Sequence, residues 1–438
     1  MTRMGVRRGI AGRPVHRRDV TLRPRPSRAA VSVTVVGVLL SAGCGHVRTN
    51  TGGPPGPSPT PPTLSSTTSS PSTSTSPTPE PTGPAPCTNA QVIRTWSVAR
   101  LAAKVIAVPV LNADLAAVDS EVRNGAGGVL FLGASPAPAD LGTRVRTLLR
   151  GAPAHTRPLV MADEEGGGIQ RLAPLVSPVP WPRDMARTMT PSAVRALAAG
   201  VGRQMRAAGV TVDLAPVADV DDRPGPSLTN PDGARSFSGN PETAATYTVA
   251  FMRGLIDAGV LPVVKHFPGL GGTTANTDVG PAPTRSLRQL ATTGLVPFRA
   301  AVRAGAPAVM VSNAYVPGLT SAPSSLSPAV VAGLLRRQLG FHGLVLTDSL
   351  SAGAVLAGGR TLPQAAVGAI AAGADLILFG STLTAAETAL LSGTNVRRSY
   401  DAIIGGIVAA VRAGQLSTAR LTAAAVAVAD AARDRLCP

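Results

Sequence analysis

Val263-Val264-Lys265-His266-Phe267-Pro268-Gly269-Leu270-Gly271-Gly272 is one of two runs that decide the fold; the other is Gly343-Leu344-Val345-Leu346-Thr347-Asp348-Ser349-Leu350, about eighty residues later. Each is a short aliphatic or β-branched segment that ends on an ionisable side chain. In a closed parallel barrel the C-terminal tips of the strands converge on one mouth. Charged groups placed there belong to a site and not to the core. Lys265, His266 and Asp348 are therefore the first candidate functional residues.

Working outward, similar runs recur at Lys104–Val110, Gly128–Leu132, Leu159–Ala162, Thr211–Ala215, Pro262–His266, Ala306–Ser312, Gly343–Thr347 and Asp375–Phe379, with amphipathic Ala/Arg/Leu stretches between them. Eight strands alternating with helices predict an α/β fold, a single (β/α)8 barrel, for which about 250 residues is a typical body. An open doubly wound sheet is the second choice. No G-x-G-x-x-G follows the first strand, which argues against a dinucleotide site and hence against that choice.

The chain has 438 residues and a formal charge of +17, but residues 1–28 hold nine arginines against the single acid Asp19, leaving +9 for the rest without basic runs. Aromatic residues make up only 3%. Such a surface lacks the clustered basic and aromatic character of a nucleic-acid binder. Residues 1–43 read as an export signal: an arginine-rich lead, the apolar run Ala29–Leu40, then Ser41-Ala42-Gly43 before Cys44. The run is too short for a span of about 20 residues and suits a signal h-region. The small residues before Cys44 resemble a bacterial lipobox, which makes Cys44 a candidate for lipidation. An ordinary secretory signal is the alternative, since Ser41 stands where an aliphatic residue is usual. Residues 44–86 are read as the linker: from Thr49 to Pro86 almost every residue is Pro, Ser, Thr or Gly, a composition that predicts a disordered tether. The folded body is expected over residues 87–438, bracketed by Cys87 and Cys437, and in an exported protein two such cysteines invite a disulfide. These readings place the protein outside the cytoplasm, held to the membrane by a lipid alone.

Three further segments sit at expected strand ends. The third strand runs into Asp163-Glu164-Glu165-Gly166-Gly167-Gly168, the fourth into Leu214-Ala215-Pro216-Val217-Ala218-Asp219-Val220, and the following loop carries Arg235-Ser236-Phe237-Ser238-Gly239-Asn240-Pro241. With the two opening runs they resemble the D-x-E-G-G, F-A-P-V-x-D-V, R-S-F-G-x-D-P, K-H-F-P-G-H-G and T-D-x-L-S motifs of glycoside hydrolase family 3. The likeness is to the single-barrel branch that contains bacterial β-N-acetylglucosaminidases. All five occur in order, over roughly residues 95–380. The resemblance implies a retaining exo-hydrolase that removes β-linked N-acetylglucosamine from cell-wall fragments. Asp348 matches the nucleophile that attacks the sugar. Asp163, Arg235, Lys265 and His266 match the residues that grip its hydroxyls, and Lys265 is expected to help keep Asp348 ionised.

The acid/base partner departs from the family pattern. That branch resembles an Asp-Ser-His element after the fifth strand, whereas this chain has Asn276-Thr277-Asp278. Leu270, Gly272, Gly168 and Asn313 also replace a motif histidine, an aspartate, an arginine and a histidine. Of the five histidines, His16 and His46 lie outside the barrel, and His155 and His342 precede strands and should face its other end. Two readings follow: Asp278 serves directly as general acid/base, or the loop is silent and the protein is a weak hydrolase or sugar-binding lipoprotein. A family β-glucosidase-like hydrolase is the remaining alternative, although the second domain of those enzymes is not expected in the sequence after the eighth strand. No metal or other cofactor is expected. Asp219, Asp221 and Asp222 read as a solvated turn, and a carbohydrate is the expected partner of a monomer.

Overall fold

Eight short parallel strands close into a barrel in sequence order: β1 (Ile106–Leu111), β2 (Gly128–Leu132), β3 (Leu159–Ala162), β4 (Val212–Asp213), β5 (Leu261–Phe267), β6 (Ala308–Val311), β7 (Leu344–Ser349) and β8 (Leu376–Leu378). β1 closes the ring against β8, pairing Ile106 with Ile377 and Ala107 with Leu378. The computed structural model describes residues 87–434 together with Leu436 and Cys437. The expected signal, Cys44 and the Pro/Ser/Thr tether lie outside the described residues.

The period-two pattern of the strands sorts their side chains into two cores. Ala107, Leu130, Leu159, Met161, Val212, Val263, Ala308, Met310, Leu344, Leu346 and Leu376 fill the barrel interior. Their neighbours Ile106, Val108, Val129, Val160, Val264, Val309, Val345 and Ile377 pack outward against the helices. The helices begin where the sequence supplies caps. Thr190 and Asn240 each accept an N–H from the first turn and are followed by proline, which starts the helices Pro191–Ala207 and Pro241–Asp257.

β4 is shorter than the expected Thr211–Ala215, since the chain leaves the ladder toward Pro216, which has no N–H to give. A single bridge, Val217 with Lys265, resumes the contact beyond it. The two ends of the body meet at the bottom of the barrel. Cys87 and Cys437 are joined by a disulfide with Cα atoms 5.7 Å apart. Lys104 Nζ lies 2.6 Å from Asp434 Oδ2 with both side chains buried, and Asn89 Nδ2 donates to Asp430 Oδ1 and to the Asp434 carbonyl.

Candidate active site

The upper mouth holds a cavity of about 1090 Å³ lined by Asp163, Arg235, Lys265, His266, Asp278 and Asp348, among others. All six polar candidates from the sequence therefore share one space. They arrive by five routes: Asp163 directly after β3, Lys265 and His266 from β5, Asp348 from β7, Arg235 from a short 3-10 turn Gly233–Arg235, and Asp278 from the loop after β5. No Phe, Tyr or Trp is among the described lining residues, so polar groups and aliphatic side chains form most of the walls.

The floor is an ion-pair lattice. Lys265 Nζ lies 2.5 Å from Asp163 Oδ1 and 2.6 Å from Glu165 Oε1, and Arg235 grips both Glu165 oxygens at 2.8 Å. Burial works against the charge on Lys265, but Asp163 and Glu165 prevail and its ammonium is held more basic than usual. Burial likewise opposes ionisation of Glu165, and Arg235 with Lys265 overrides it, so this carboxyl titrates far below the usual range. Lys265 is thus committed to Asp163 and Glu165. That corrects the expectation that it serves Asp348. Glu165 was missed as a site residue, although a signal was present: residues 163 and 165 lie two apart on an extended chain and share a face, while Glu164 takes the other. Glu164 indeed turns away, accepting N–H groups of Arg171 and Leu172 at 2.7 Å and an Nε2–H of Gln170 at 3.1 Å, which ties the hairpin Glu164–Gln170 together.

A second correction concerns the trio after β4. Asp219 and Asp221 are buried and only Asp222 is exposed, so this is no solvated turn. Asp219 Oδ2 lies 2.6 Å from His266 Nδ1, and its Oδ1 accepts the Leu270 N–H at 2.6 Å. Asp221 accepts from Arg223 and from the Gly272 N–H. The sequence misleads here because three acids in four residues look solvated, whereas N–H groups some fifty positions away are aimed at two of them. Burial, with Arg235 next in weight, lowers the His266 pKa to about 4, so the imidazole is neutral. With Nδ1–H donated to Asp219, its Nε2 is an unprotonated acceptor, 3.5 Å from Arg235 Nη2, and the residue lines the cavity.

The nucleophile candidate stands on a braced strand end. The Ser349 N–H donates to Asp348 Oδ1 at 2.7 Å, Asn313 Nδ2 donates to the Ser349 carbonyl at 2.7 Å, and Ser325 Oγ donates to Asn313 Oδ1 at 2.7 Å. Asn313, one of the departures from the motif pattern, thus acts as a brace. The Asp278 loop is pinned to the same region, because the N–H groups of Gly353 and Ala354 donate to the carbonyls of Asp278 and Thr277 at 2.8 and 2.9 Å. Burial first and the Asp348 charge second raise the Asp278 pKa to about 7. His155 and His342 are exposed and take no part in the cavity.

Asp219, Asp232 and His266 offer atoms within 4.8 Å of one another, the spacing of a cation site among the described residues. The donor set does not suit a metal ion. Both Asp219 oxygens already accept N–H groups, and the Arg235 guanidinium bears on all three residues.

Comparison with known proteins agrees with the barrel fold. Residues 113–431 match the family model "Glycosyl hydrolase family 3 N terminal domain". A curated relative, "Beta-hexosaminidase LpqI" of Mycobacterium tuberculosis, is 39% identical over 277 residues, which are 62% of this chain and 66% of that protein, just under two thirds of its length. The solved structure of M. tuberculosis LpqI superposes with a TM-score of 0.69 at 34% identity, covering 79% of this chain and 96% of that one. A β-N-acetylhexosaminidase from Beutenbergia cavernae gives a TM-score of 0.68 at 29% identity, covering 78% of this chain and 99% of the other.

Proposed function

Because the chain belongs to glycosyl hydrolase family 3, we propose that it is a retaining exo-glycosidase that releases β-linked N-acetylglucosamine from cell-wall fragments. One observation carries the reading: Asp278 and Asp348 line the same cavity, and the burial and charge that raise Asp278 to about 7 keep a proton on it near neutral pH. In the first step Asp348 attacks the anomeric carbon as Asp278 protonates the departing oxygen, giving a glycosyl ester and a free aglycone. In the second, Asp278 takes a proton from water, which opens the ester and regenerates both groups. Asp163, Lys265, Arg235 and the bare Nε2 of His266 hold the hydroxyls of the sugar, with Glu165 fixing the two cations in place. The name of the mycobacterial relative and the N-acetylhexosaminidase superposition support the choice of sugar.

The proposed location is the outer face of the membrane, with the lipid on Cys44 and the tether giving reach into the wall. The disulfide of the body suits such an oxidising compartment. Turnover of an aryl N-acetylglucosaminide and of a natural wall disaccharide tests the reaction. Asp348→Asn is expected to abolish both. Asp278→Asn is expected to cost about 10²–10⁴-fold on the disaccharide and much less on the aryl substrate, whose leaving group needs little protonation. Equal activity of Asp278→Asn and wild type on the disaccharide contradicts the acid assignment.

A further inference from the structure

Asp232, which precedes the turn that delivers Arg235, is fully buried and neither of its carboxylate oxygens receives an N–H or O–H from the protein. The hydrogen bonds of its cationic neighbours run elsewhere. Arg235 spends Nε and Nη2 on Glu165 and Nη1 on the Pro231 carbonyl. Arg183 spends its guanidinium on the carbonyls of Asp221, Arg223 and Gly233. Arg223 is paired with Asp221, the other acid that bears on Asp232. Asp219 and His266 remain, both with atoms within 4.8 Å of Asp232. Two carboxylates cannot both stay ionised in one dry space, so either a cation or a proton must sit between them. The cation is disfavoured by Arg235 and by the N–H groups already on Asp219.

We propose that Asp232 is a positioning residue: its carboxyl keeps a proton at neutral pH and donates it to Asp219, completing a carboxyl–carboxylate–imidazole chain that holds His266 with Nδ1–H inward and Nε2 open to the sugar. The direction agrees with the surroundings, since burial first and Asp219 second push the Asp232 carboxyl well above the usual range; burial raises Asp219 as well, to about 7, but the N–H groups of Leu270 and His266, the Arg235 charge and the hydrogen bond from Asp232 all act to hold it down. The consequence for sugar binding rests on the function proposed above. The protonation does not, and spectroscopy reads it whether or not the chain hydrolyses anything.

Infrared difference spectra of wild type minus Asp232→Asn at pH 7 are expected to show one protonated-carboxyl C=O band. ¹⁵N NMR of the wild-type histidines, which needs no variant to fold, is expected to show His266 neutral and protonated on Nδ1. In calorimetry with N-acetylglucosamine as the probe, Asp232→Asn, whose amide can still donate to Asp219, should bind within about twofold of wild type. Asp232→Leu, which fills the space without a donor, should bind roughly fivefold or more weakly, the scale of one lost hydrogen bond. Absence of the carboxyl band, an Nε2–H tautomer at His266, or Asp232→Asn failing as badly as Asp232→Leu would each overturn the proposal. So would stoichiometric Zn²⁺ binding that Asp232→Asn removes, because the pair would then hold a metal ion.

Discussion

At the residue scale, Asp278, the proposed proton donor, is the position where the chemistry is most exposed to test. An acid whose pKa rises on folding stabilises the fold while protonated, and that contribution is lost as pH climbs from its unfolded value of 3.8 through about 7. The Tm of Asp278→Asn is therefore expected to gain on that of wild type between pH 4 and 7 and then to run parallel. Disaccharide turnover by wild type should fall as pH rises through the same value, because the proton donor is being titrated away. A flat Tm difference over that range contradicts the raised pKa. The types of the site residues were legible because charges after aliphatic runs stand out. Their partners were not. Lys265 meets Asp163 across 102 positions and Asp219 meets His266 across 47, and no spacing along a chain reports which distant groups face each other.

At the element scale, the strand that presents Asp348 and the loop that presents Asp278 are built as one unit. Gly353 carries the link, because a Cβ placed there would lie 2.4 Å from the Val279 carbonyl oxygen and 2.9 Å from that of Asp278. Gly353→Ala is expected to push the loop off β7 and reduce disaccharide turnover by about tenfold or more, since misplacement by about 1 Å can cost 10²-fold. Aryl substrates should suffer less. A variant with wild-type kcat on the disaccharide contradicts this coupling. The positions of all eight strands were readable from recurring aliphatic runs, and so were the extents of β2 and β3, while the other six differ at their ends. Asp375 was expected to open β8, yet its carboxylate instead takes Arg336, Arg420 and the Val345 N–H, and the strand begins at Leu376.

At the scale of the whole molecule, the barrel separates stability at its base from chemistry at its mouth. The base closes with the Cys87–Cys437 disulfide, which spans 350 positions and removes chain entropy from the unfolded state. Cys87→Ser is expected to lower the unfolding free energy by roughly 2–5 kcal/mol while leaving kcat and KM at 25 °C unchanged. A loss of activity without loss of stability would contradict that division. In the proposed mechanism one carboxylate at the mouth takes a sugar covalently while a neighbouring loop supplies a proton. Peptide mapping after inactivation with a 5-fluoro N-acetylglucosaminyl fluoride measures this directly: the account predicts a single glycosyl adduct on Asp348, and an adduct on any other side chain, or turnover that leaves Asp348 unlabelled, contradicts it.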